Sequence, residues 1–256
     1  MKNQITHLVT IVLSLLFTLQ IGAQDISVFQ FRQVPNDKVN EFIHRETTYW
    51  AEVAQKAVDK GDLITWALFQ KVGGYDIPNS SNFLFINTVK DINANMGDMW
   101  NAAAVFPDVP ASQLSTWEMS TVTSQAFVRI NPMVAAANAT PDDFNYVKIN
   151  FWKSSNPAAF VALEQEHWAP FIKAEMAKSG VSQVGWSNAE IINPRGPNVP
   201  ANSMSFDIYP TLGELLTPKW SEGATFPQEG LAKLQEITES RTEVIYRVVK
   251  VVSANN

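Results

Sequence analysis

The sequence predicts an α+β protein made of two tandem β-α-β-β-α-β units. Three observations carry this. Rare residues recur in order at a spacing of 118–121: Phe42 and Trp50 with Phe160 and Trp168, Lys60 with Lys178, Trp66 with Trp186, Phe85 with Phe206, Trp100 with Trp220, Phe106-Pro107 with Phe226-Pro227, and Arg129 with Arg247. In both halves the apolar pattern alternates between the two-residue period of strands and the 3.6-residue period of helices, in the same order. Finally, 256 residues with 46% hydrophobic and 17% charged side chains can bury a sizeable core without disulfides, and the chain has no cysteine.

The chain opens with Lys2, an apolar run Leu8–Leu19 and the small pair Gly22-Ala23, the pattern of a secretory leader over residues 1–23. The run is about half the ~20 residues that span a bilayer. The first unit is assigned to residues 24–131. Ile26–Val34 alternates as a strand, with Phe29 and Phe31 on one face and Gln30 and Arg32 on the other. Asn36 or Asp37 caps a helix that ends at Lys60 before Gly61. Strands are predicted at Leu63–Val72 and Phe83–Asn87, helices at 91–104 and 111–124, and a fourth strand at Ala126–Ile130. Residues 132–143 read as a linker.

The second unit, residues 144–256, repeats the order. Asn145–Trp152 is a strand and Asn156-Pro157 starts a helix running to about Ser179. Strands Gln183–Ile192 and Ser203–Tyr209 flank a Pro-rich loop, helices cover Thr211–Trp220 and Gln228–Ser240, and Glu243–Val252 is the last strand. Each half is a ferredoxin-like unit. Eight antiparallel strands result, with helices on one face of each sheet.

Two such units in one chain, each with a long first helix carrying a Glu-x-x-aromatic-Trp stretch (Glu46, Tyr49, Trp50; Glu164, His167, Trp168), resemble the dimeric α+β barrel superfamily over roughly residues 25–252. The resemblance implies that the two sheets close one shared eight-stranded barrel. Members include cofactor-free monooxygenases, haem-binding and haem-degrading enzymes, chlorite-dismutase-like proteins, lyases and many proteins with no known activity. Fold therefore leaves function open.

Composition excludes several classes. With the leader removed, 18 basic and 25 acidic residues give a net charge of −7, which does not suit nucleic acid. Without cysteine there is no thiolate metal site and no cysteine nucleophile. Dinucleotide and phosphate-loop motifs and H-E-x-x-H are absent, and the nucleophile-elbow and calcium-loop look-alikes fail on spacing. No metal site is expected. The sequence requires no cofactor, although haem is compatible with the resemblance.

Candidate chemistry centres on the first helices. Glu164, His167 and Trp168 share one helical face, so Glu164 and His167 form a candidate catalytic couple, the carboxylate orienting an imidazole that acts as base or haem ligand. The alternative is a scaffold role, with ion pairs Glu46–Arg129 and Glu164–Arg247. Features shared by both halves point to fold requirements, and a site is sought among those that differ. On that argument Arg32, Lys148, Asn150, Trp152, Asn188 and Glu190, with Gln30, are expected to line a polar barrel interior and hold a small polar or anionic ligand. His44, beside Arg45, reads as a solvated surface residue.

The expected protein is an exported, small-molecule-binding protein, periplasmic or extracellular, with enzyme chemistry of the monooxygenase-like or haem-linked kind. Its mature form associates with neither nucleic acid nor membrane. It closes its barrel as a monomer or associates weakly with itself. The alternatives are a non-catalytic ligand-binding or scaffold protein, or a glycan-binding protein. The last is suggested by eight tryptophans, but six of them are paired by the repeat and so read as packing.

Overall fold

A computed structural model of the chain describes residues 25–73, 80–93 and 96–254, so the leader assigned to 1–23 lies outside the described residues. The first unit comprises β1 (Ile26–Gln33), α1 (residues 36–60), β2 (Leu63–Lys71), β3 (Phe83–Val89), the short helices α2 (Met96–Met99), α3 (Ala102–Val105) and α4 (Ala111–Leu114), and β4 (Thr121–Ile130). The connecting segment holds β5 (Val134–Ala135) and a 3-10 turn, Pro141–Asp143, where the Asp143 carboxylate accepts from the Thr140 N–H and hydroxyl. The second unit comprises β6 (Tyr146–Ser154), α5 (residues 157–176), β7 (Gly185–Asn193), β8 (Ser203–Tyr209), α6 (Leu212–Leu216), α7 (Gln228–Ile237) and β9 (Thr238–Ser253).

The strands run in the order β4-β1-β3-β2-β9-β6-β8-β7, and β4 pairs with β7 to close an eight-stranded antiparallel barrel. Each unit supplies four consecutive strands. Two seams join them, β2 to β9 and β7 to β4, and in each the second strand of one unit meets the last strand of the other. β5 extends along the β7 edge beyond β4, pairing Val134 with Trp186.

Local chemistry explains most boundaries. Gly61 ends α1 in the left-handed region at φ 83°, where a side chain would be strained. Asn156 caps α5 by accepting from the Ala159 N–H, and Pro157 fills the first turn. Two expectations are corrected. The predicted helix 111–124 stops at Leu114, and Thr121–Ser124 instead extends β4, because the β-branched Thr121, Val122 and Thr123 suit the ladder that places Val122 opposite Arg32. The predicted helix 228–240 stops at Ile237, since β9 begins at Thr238 to pair with Ser154 of β6.

Both faces of the sheet are covered. Phe29, Ala67, Leu84, Val128, Ile149, Ala189, Met204 and Tyr246, one from each of the eight strands, pack together, and only the barrel interior lets all eight meet. The interior is therefore apolar, not the polar lining expected. Strand side chains alternate, so the apolar set Val147, Ile149 and Phe151 sends Lys148, Asn150 and Trp152 to the outer face under the helices. Outside the barrel, Phe42, Ala54, Trp66, Leu68 and Phe83 join α1 to the first sheet, and Ile172, Met176 and Trp186 join α5 to the second. Trp66 and Trp186 are buried in these layers, as their pairing predicted. Among the described residues no helix is long and apolar enough to cross a membrane.

Candidate functional site

Among the described residues, each unit holds a cavity between its sheet and its helices. In both first helices a single π-helical turn interrupts the α-helix at the same point, Glu46–Trp50 and Glu164–Trp168. Such turns recur at functional sites because the extra residue re-aims the side chains beside it. Here the first residue of each turn is a buried glutamate facing the cavity.

The C-terminal cavity has a volume of about 520 Å³. Phe160, Trp168, Leu231 and Leu234 form its apolar walls, and Asn150, Trp152, Glu164, Ser205, Asp207 and Arg241 its polar side. The polar side is tightly linked. Asn150 donates to Asp207 at 3.0 Å and to the Ser205 hydroxyl at 3.3 Å, and Trp152 Nε1 donates to the same hydroxyl at 3.0 Å. Arg241 donates to Asn150 Oδ1 at 2.8 Å, pairs with Glu243, and lies 4.7 Å from the centre of the Trp152 ring. Glu164 Oε2 accepts from Asn188 Nδ2 at 3.1 Å. Burial pushes the Glu164 carboxyl up to about 8; the Asp207 charge adds to this, while hydrogen bonds from Asn188 and Ser205 and the Arg241 charge oppose it.

The N-terminal cavity, about 440 Å³, is lined by more aromatic surface, including Trp50, Trp66, Phe85, Trp100 and Trp117. Glu46 accepts from the Thr116 hydroxyl at 2.7 Å, and Arg32 Nη1 stands 3.9 Å away, an ion pair beyond hydrogen-bond distance. Burial raises the Glu46 carboxyl to about 7, opposed by Arg32 and Thr116.

The structure separates the sequence-predicted site residues. Asn150, Trp152 and Glu164 meet at the C-terminal cavity, whereas Arg32 lines the other one. Asn188 is fully buried behind Glu164, bonded also to Val161 O and Gln165, and acts as its support. Lys148 pairs with Asp207 at 3.5 Å, and Glu190 pairs with Arg129 and Arg195; neither reaches a cavity.

His167 lines neither cavity. Its ring packs on Gly230 of α7, so closely that a methyl there would overlap His167 Cβ and Cγ, and its nearest carboxylate is that of Glu166, at 3.9 Å. The Glu164–His167 couple is therefore absent: three residues along this helix the side chain has turned to the flank facing α7. Haem ligation by His167 does not fit either, since its Nε2 is buried against the protein and opens onto neither cavity. Among the described residues no group of three His, Asp or Glu is placed to hold a metal ion.

The expected scaffold ion pairs are replaced by bonds across the seams. Arg129, opposite Glu190 in the β4–β7 register, lies 3.5 Å from that carboxylate, and Arg247, opposite Gln70 in the β2–β9 register, donates to its amide oxygen at 2.7 Å. Residues missed by sequence reasoning are Asp207, Ser205 and Arg241 in one cavity, and Asn87 and Thr116 in the other. One signal for them was available. The two tryptophans without a partner in the repeat, Trp117 and Trp152, are those stacked on an arginine, Arg32 and Arg241.

No protein-family model and no curated protein matches the sequence. Solved structures do match the fold. An anthrone oxidase-like protein superposes with a TM-score of 0.54 at 11% identity, covering 92% of this chain and 95% of its own. A candidate monooxygenase from Lactobacillus acidophilus gives 0.53 at 9% identity over 90% and 95%, and one from Fusobacterium nucleatum 0.54 at 11% over 91% and 95%. With two β-α-β-β-α-β units closing one eight-stranded barrel, the chain has the fold of the dimeric α+β barrel superfamily.

Proposed function

We propose that the protein is an exported small-molecule enzyme of the monooxygenase-like kind, working in the C-terminal cavity with Glu164 as the group that exchanges a proton with the bound molecule. The observation that carries this reading is Glu164 itself, a buried carboxyl at the wall of a 520 Å³ cavity, its pKa moved to about 8. A carboxyl poised near the working pH is both donor and acceptor, the condition general acid–base catalysis requires. Phe160, Trp168, Leu231 and Leu234 would hold an apolar body, while Asn150, Ser205 and Arg241 face its polar groups. Export to the periplasm or the extracellular space is supported by Lys2 and the apolar run that follows it. Origin by internal duplication is supported by the rare residues matched at 118–121 and by the common element order.

The fold analogy supplies a probe, anthrone, and is no more than an analogy. Glu164, ionised, would take one proton from the methylene carbon of anthrone; the resulting enolate reacts with dioxygen, and anthrone plus dioxygen gives anthraquinone plus water. Oxygen uptake above the buffer rate is expected to rise with pH through about 8. Glu164→Gln is expected to lower it by about 10²-fold or more. Binding without turnover, read by tryptophan fluorescence, would favour the non-catalytic ligand-binding alternative. The absence of both binding and turnover would overturn the reading.

A further inference from the structure

In the N-terminal cavity two buried polar atoms make no hydrogen bond among the described residues. Arg32 is only 8% exposed, and its guanidinium is clamped between the rings of Phe85, 4.6 Å away, and Trp117, 4.5 Å away. Its Nε donates to Gln30 Oε1 at 2.6 Å, but Nη1 makes no hydrogen bond, the Glu46 carboxylate with which it pairs standing 3.9 Å away. The second atom is Asn87 Oδ1, buried on the same wall with no donor. A buried polar atom left unpaired costs about 1–3 kcal/mol, so each favours a ligand that completes it. The C-terminal cavity differs: its arginine, Arg241, is bonded on both Nε and Nη2.

Their separation follows from the sheet. The β1–β3 register places Gln30 opposite Phe85 and Val28 opposite Asn87. The guanidinium, folded back over Phe85, thus stands beside the row of Asn87, the next same-face residue of β3, whose Cα is about 7 Å from that of Phe85. A cationic donor stands at one end of this interval and a neutral acceptor at the other, with aromatic side chains around them. The complement is a flat molecule bearing an anionic oxygen at one end and a hydroxyl donor across a single ring.

We propose that the N-terminal cavity is a second binding site, distinct from that of Glu164, for a hydroxyaryl carboxylate whose carboxylate takes Arg32 Nη1 and whose hydroxyl donates to Asn87 Oδ1. A site built to bond a hydroxyl discriminates against the analogue without it, because its own polar atom is again left unpaired.

The test is titration of the full chain, by calorimetry and tryptophan fluorescence, with 4-hydroxybenzoate, benzoate and phenol. 4-Hydroxybenzoate is expected to bind about tenfold or more tightly than either analogue. Arg32→Gln should weaken 4-hydroxybenzoate and benzoate about tenfold or more and leave phenol unchanged. Asn87→Leu should bring 4-hydroxybenzoate down to benzoate and leave benzoate where it was, which keeps the test decisive if Arg32→Gln does not fold. Equal affinity for 4-hydroxybenzoate and benzoate would overturn the proposal, as would binding indifferent to both substitutions or abolished by Glu164→Gln. Failure of anthrone turnover leaves this outcome untouched, because the two readings rest on different cavities.

Discussion

Glu46 and Glu164 differ from the exposed carboxylates of this chain only in what surrounds them, and the consequence is measurable. Their folded pKa values, about 7 and about 8, lie above the ordinary 4.5. Between pH 4.5 and 8 the unfolded chain releases protons that the native state keeps on these two groups, so their contribution to stability is full below pH 4.5 and is lost as pH rises toward 8. The melting temperature of wild type should fall over that range, and Glu164→Gln should fall less, the gap widening by about 2–4 °C for each kcal/mol removed. Parallel melting curves would refute this. His167 and Gly230 make a second residue-scale test. Gly230→Ala is expected to destabilise by about 1–3 kcal/mol through overlap with His167. His167→Ala in the same chain should restore most of that loss; a double variant no more stable than Gly230→Ala alone would sink the explanation. The sequence made Glu164, Asn150, Trp152 and Arg32 legible as polar or aromatic residues on otherwise apolar patterns. It could not make Arg241 or Asn87 so, because their roles come from strand partners far away in the chain. Nor did it carry the fate of His167, which α7 decides by packing a glycine against it.

Among the elements, strands and long helices were readable from periodicity, since alternation and the 3.6 repeat are local. Short helices are not: the helical pattern over 111–124 continues into the strand it joins, because helical and extended preferences compete over Ser120–Ser124 and the ladder to β1 decides. Which sheet face becomes the interior was likewise undetermined locally, since both faces are covered and closure selects the more apolar set. The alternation itself can be tested at Phe29, fully buried inside the barrel. Phe29→Ala is expected to cost about 3–5 kcal/mol in denaturant unfolding. A loss under about 0.5 kcal/mol, as for a surface change, would mean the interior tolerates water.

The whole molecule is held by two seams built alike, each with an arginine of the last strand of one unit bonded to the second strand of the other, Arg247 to Gln70 and Arg129 to Glu190. Since each unit's outer strands are paired with the other unit, unfolding is expected to be one cooperative transition, coincident by near-ultraviolet and far-ultraviolet circular dichroism. Two separated transitions would show that the seams do not couple the halves. Barrel closure has a further consequence, one of symmetry. Two identical subunits related by a twofold axis must carry the same residues in both cavities, so any change in one is imposed on the other. A single polypeptide is free of that constraint. Here the position that carries a cation in the first unit carries a ring in the second: Arg32 stacks on Trp117, whereas Trp152, the counterpart of Arg32, receives Arg241. Each pocket is thereby free to acquire its own substitutions without disturbing its twin.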